Sequence, residues 1–193
     1  MERRDSIEPL SLEPQNLNQM NTNQTSINYG LIGGMAAIAL SLLYYLLNVR
    51  GFITWGGWVS YLTLGATMVM AGLAIRKYQD GFIEFKDSLK VTFLVWVIGT
   101  LLTTVFLYVM YNFIDTGLVD IQKEVVEEMM DKFTANVDEE TLAELNKGME
   151  EQGFGLDLKK SLLAYAFGLI FPGFIFALII SLVIRRKNPE LEA

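Results

Sequence analysis

Four long stretches all but free of charged residues constrain this chain more than any other feature. They run from Asn28 to Leu47, Trp55 to Ile75, Leu89 to Ile114 and Ser161 to Ile184. Lys90, at the entry of the third, is the only acidic or basic residue in any of them. At about 1.5 Å per helical residue, each can cross a hydrocarbon core of about 30 Å. Helices buried in soluble proteins seldom stay uncharged for so long. The expected fold is therefore an all-α integral membrane protein with four transmembrane helices.

Charge is as localised as apolarity. The net charge is −7, yet the stretch from Asp115 to Lys160 holds thirteen acidic and five basic residues. The remainder is close to neutral and has no basic stripe for a phosphate backbone, so nucleic acid is not an expected partner. The chain has no cysteine and no histidine. Thiolate or imidazole zinc sites, cysteine nucleophiles and serine–histidine triads are excluded, and neither cofactor nor metal is expected.

The domain boundaries follow from these patterns. Residues 1–27, rich in Asn and Gln, read as a disordered polar tail. Residues 28–114 hold the first three spans, and Asn48-Val49-Arg50-Gly51 makes a short turn between the first two. Tyr44, Tyr45, Trp55, Trp58 and Tyr61 cluster near that turn as amphipathic rings do at headgroup level. Asp80-Gly81 turns the chain again, and Phe82, Phe85 and Leu89 suggest a surface-lying lead-in to the third span.

Residues 115–160 read as an acidic extramembrane helical hairpin. Ile121, Val125, Met129 and Phe133 stripe its first helix. Asp138 is the expected N-cap of a second, lined by Leu142, Leu145 and Met149 and ended by Gly153-Phe154-Gly155. Residues 161–193 supply the fourth span and a basic tail. Near the membrane ends, Arg76, Lys77, Lys86, Lys90, Arg185, Arg186 and Lys187 lie on one side, and Arg50, Lys123, Lys159 and Lys160 on the other. That bias places both termini in the cytoplasm and the hairpin outside.

Small residues recur every fourth position in two spans: Gly33, Ala37 and Ser41 in the first, overlapped by Gly30-x-x-x-Gly34, and Gly173, Ala177 and Ser181 in the fourth. Lipid tails give helices no hydrophobic reason to associate, so close packing depends on such faces. These stripes are the expected packing surfaces, within one bundle or across a dimer. Pro172 removes a backbone donor and should kink the fourth span. Glu124, Glu127, Glu128 and Asp131 read as a solvated acidic face in preference to a cation site. Thr63, Thr67, Thr100, Thr103 and Thr104 offer hydroxyls to a polar path, although such hydroxyls usually bond their own backbone.

Asn28-Tyr29-Gly30-Leu31-Ile32-Gly33-Gly34 opens the first span, and Gly81-Phe82-Ile83-Glu84-Phe85-Lys86-Asp87-Ser88-Leu89-Lys90 leads into the third. Tyr111-Asn112-Phe113-Ile114-Asp115 ends the third, and Arg185-Arg186-Lys187-Asn188-Pro189 follows the fourth. Together, over roughly Ile27 to Pro189, these pieces resemble the bacterial membrane family labelled domain of unknown function 4199. The resemblance implies a small four-helix inner-membrane protein of Bacteroidota-like bacteria, and brings no activity, cofactor or catalytic residue with it. The leading expectation is a non-enzymatic interaction or accessory module, with the lipid bilayer and a membrane-protein partner or second copy as its contacts. The alternative is a small transporter or channel subunit with a Thr-lined path near Pro172.

Overall fold

The computed structural model describes residues 14–134, 141, 147–148 and 153–186, and these are helical apart from short connections. In chain order the helices are α1 (Pro14–Leu47), α2 (Val49–Tyr78), α3 (Phe85–Val109), α4 (Leu118–Thr134), α5 (Leu158–Gly168) and α6 (Phe174–Ile184). A π-helical turn, Met110–Ile114, extends α3, and a second, Leu169–Gly173, joins α5 to α6. Four segments are long and apolar enough to cross a membrane: Thr22–Leu47, Val49–Tyr78, Phe85–Ile114 and Leu158–Ile184.

Several boundaries differ from the sequence reading. Helix α1 starts at Pro14, so the second half of the stretch expected as a disordered tail, residues 14–27, is helical. Proline suits a first helical position, and adding turns to an existing helix costs far less than starting one. Side chains assist: Gln24 donates to Asn28 Oδ1 over 3.1 Å, and the buried Ser26 hydroxyl donates to the Thr22 carbonyl over 2.8 Å. The tail's first thirteen residues lie outside the described set.

Between α1 and α2 only Asn48 leaves the helical conformation. It is extended, and its Oδ1 caps α2 by accepting from the Gly51 amide over 2.9 Å. The fourth span likewise begins earlier than Ser161, because Asp157 caps α5 by accepting from the Lys160 amide over 2.7 Å. Residues Phe82–Glu84 form no surface helix. Asp80 and Gly81 both take positive φ, and Ile83 then pairs with Arg186 through two backbone hydrogen bonds of 3.0 and 2.9 Å. That pairing ties the α2–α3 turn to the end of α6.

Helix α1 packs most extensively, against both α2 and α3, while the fourth span lies chiefly on α3. The main core gathers Leu64, Met68, Ala71 and Ile75 of α2 with Val91, Val95 and Trp96 of α3 and Ala177 and Ile184 of α6. Trp96 is fully buried, between Tyr61 at 5.4 Å and a stacked Phe176 at 5.5 Å between ring centroids. A second cluster of Phe52, Met110, Tyr111 and Leu118 seals the far end under α4.

Candidate functional site

Each small-residue stripe meets a different neighbour. Gly33 lies against Thr67 of α2, so closely that a Cβ there would stand 3.0 Å from Thr67 Cβ. Ala37 is fully buried, and the Ser41 hydroxyl is 3.3 Å from that of Ser60 in α2. The offset pair Gly30 and Gly34 turns instead to Ile98 and Leu102 of α3. In the fourth span, Gly173 sits on the indole of Trp96, and Ala177 is fully buried. Ser181 lies 2.9 Å, hydroxyl to hydroxyl, from Thr92 of α3. The first stripe thus faces α2 and the last faces α3.

Pro172 lies inside the π-helical turn. A proline has no N–H to give to the carbonyl four residues earlier, here that of Gly168. Trp96 Nε1 donates to this carbonyl over 3.1 Å. The indole therefore satisfies a backbone group that the fourth span cannot satisfy in the usual α-helical way. Sequence reading overlooked Trp96, although a tryptophan in mid-span, away from both headgroup zones, was the available signal.

Within the four spans, charged side chains occur only in the two turns nearest an end, Lys90 being the deepest. The hydroxyls of Thr63, Thr67 and Thr103 donate to carbonyls of their own helices, at Val59, Leu64 and Thr100. Thr100 Oγ1 is buried and makes no hydrogen bond. Among the described residues no three carboxylates gather as a metal site would require.

The acidic helix α4 is held onto the turn between α1 and α2. Arg50 reaches Glu128 with NH2 and Glu124 with NH1, the latter at 3.6 Å. Tyr45 donates to Asp115 Oδ2 over 2.8 Å, and Asp115 Oδ1 accepts from the Gly117 amide at the start of α4. Returning chain closes the same corner: Gly155 donates to Gln122 Oε1, and Asn112 donates to the Leu156 carbonyl over 2.7 Å. Gly153 and Gly155 both have positive φ, which permits this reversal. On the expected stripe Val125 is buried and Met129 exposed. The second hairpin helix, with Asp138, Glu139, Glu140, Leu142, Leu145 and Met149, lies outside the described residues.

Geometry explains why Arg50 is available. Helix α2 has 30 residues, about 45 Å of helix against a hydrocarbon core of about 30 Å. About twenty residues counted back from Arg76 end near the exposed Trp55 and Trp58, rings suited to an interface. The first turns of α2 therefore stand clear of lipid and carry Arg50 to α4. Replacing Arg50 with Gln should leave global stability almost unchanged, since exposed ion pairs contribute about 0–1 kcal/mol. It should instead loosen α4, seen as faster amide hydrogen exchange over Leu118–Thr134. Added salt should reproduce the effect in the parent protein.

No curated protein and no solved structure matches the chain. A family described as "protein of unknown function (DUF4199)" matches residues 28–186, which takes in the Gly33 and Gly173 stripes, the Trp96 seat and the Arg50–α4 corner. The chain belongs to that family.

Proposed function

We propose that this protein is a non-enzymatic accessory module of the membrane, acting through a partner protein recognised by the acidic outer face of α4. The observation that carries the reading is the anchoring of α4. Arg50 and the Tyr45–Asp115 bond hold the helix on the bundle, while Asp120, Glu127 and Asp131 stay exposed. A fixed, solvated acidic face on a closely packed bundle suits recognition better than chemistry. The spans, charged only at their ends, supply none of the usual parts of a proton relay or ion path.

In this reading the membrane is a bacterial inner membrane, both termini are cytoplasmic, and α4 with its following helix forms an acidic hairpin outside. The Lys and Arg count near the span ends supports that orientation: seven lie at the end opposite α4 and four at the acidic end.

Affinity capture of the tagged protein from native membranes in mild detergent tests the proposal. A stoichiometric second protein is expected, lost when residues 118–157 are deleted and also when Glu127 and Asp131 are both changed to Lys. Recovery of a homo-oligomer alone would overturn it. The buried, unbonded Thr100 hydroxyl near the Pro172 turn favours the second reading, a small transporter or channel subunit. Solute flux in proteoliposomes, reduced by Thr100→Val, would establish that reading instead.

A further inference from the structure

The end of the bundle opposite α4 carries Arg76, Lys77, Lys86, Lys90, Arg185 and Arg186, with Asp80, Glu84 and Asp87 beside them. None of these six cations forms an ion pair among the described residues, whereas cations at the acidic end do. Backbone pairing of Ile83 with Arg186 brings the α2–α3 turn and the end of α6 together. Arg76 is fixed in that corner, its Nε donating to the Gly81 carbonyl over 3.1 Å and its NH1 to the Ile184 carbonyl over 3.5 Å. The Arg186 guanidinium lies 5.8 Å above the Phe82 ring. Lys86 and Lys90 are exposed one turn apart on α3, a like-charge pair that opposes helix formation unless an anion lies between.

We infer that this corner binds the phosphate of an anionic phospholipid headgroup. Depth selects a lipid over a soluble anion. Lys90 lies five residues beyond the start of α3, roughly 7 Å further into the span. An ammonium there on an outward face must extend back to the headgroup layer. Phosphodiesters occupy that layer, and the neighbouring apolar surface of Phe82, Phe85 and Leu89 suits the first carbons of an acyl chain. Cations near an anionic membrane surface each add to the attraction, which salt weakens.

The test is titration of the detergent-purified full chain with dioctanoyl phosphatidylglycerol, dioctanoyl phosphatidylcholine or inorganic phosphate, read by native mass spectrometry. Phosphatidylglycerol should bind at least about tenfold more tightly than phosphatidylcholine, and inorganic phosphate should not compete. The triple variant K86Q/K90Q/R185Q should lose roughly a hundredfold in affinity, while R50Q at the far end should lose none. Should the triple variant unfold, K90Q alone carries the test, with a loss of a few-fold. Equal binding of the two lipids, displacement by inorganic phosphate, or unchanged affinity in the lysine variants would overturn the inference.

Discussion

Gly173→Ala should unfold well below the parent protein, by roughly 10 °C in detergent. A Cβ at this position would fall on Nε1 and Cδ1 of Trp96 and lie 2.8 Å from the Gly168 carbonyl oxygen. Neither obstacle yields easily. The indole is fully buried between Tyr61 and Phe176, and the carbonyl belongs to the backbone of the broken turn. Moving the ring also breaks its hydrogen bond to the Gly168 carbonyl. Overpacking costs about 1–3 kcal/mol and a lost buried hydrogen bond about 1 kcal/mol more. Gly57→Ala and Gly65→Ala are the internal controls, because a Cβ at either meets nothing within 4 Å. Both should match or exceed the parent, since Ala favours helix over Gly by about 1 kcal/mol. A Gly173→Ala variant as stable as these controls would sink the account of the Trp96 seat.

The spans were legible because exclusion of charge from hydrocarbon is a strong, one-dimensional signal, readable without knowing what touches what. Their ends were less so. Pro14 and Val49 begin helices earlier than the apolar blocks do, because a helix continues through Asn, Gln or Arg wherever it clears the lipid. Gly33 and Gly173 could be picked out by spacing, but spacing does not name the neighbour. That Thr67 and Trp96 are those neighbours became visible only with the bundle assembled, as did the close approaches at Gly72 and Gly99, whose added Cβ atoms would meet Ile184 and Leu64. The anchoring of α4 by Arg50 joins residues 78 positions apart, and no local pattern announces such a pair.

The Gly33 contact permits a sharper test than loss of stability alone, because its obstacle can be removed. Gly33→Ala places a Cβ against Thr67 Oγ1, with Thr67 Cβ at 3.0 Å and Cγ2 at 3.1 Å. The threonine cannot swing aside freely, since its hydroxyl is bonded to the Leu64 carbonyl at 2.8 Å. The single change should cost about 1–3 kcal/mol. Thr67→Ala alone should cost under about 1 kcal/mol, because its hydroxyl serves only its own helix. With both changes the Oγ1 and Cγ2 conflicts vanish and only the Cβ approach persists, so a large part of the loss should return. Unfolding in mixed micelles would yield a coupling of about 1–2 kcal/mol in favour of the double variant. Simple additivity would mean that α1 does not rest on α2 at Thr67. Gly34→Ala, which meets Leu102 on α3, should show no such rescue by Thr67→Ala, and that contrast assigns the two faces of α1 to their separate partners.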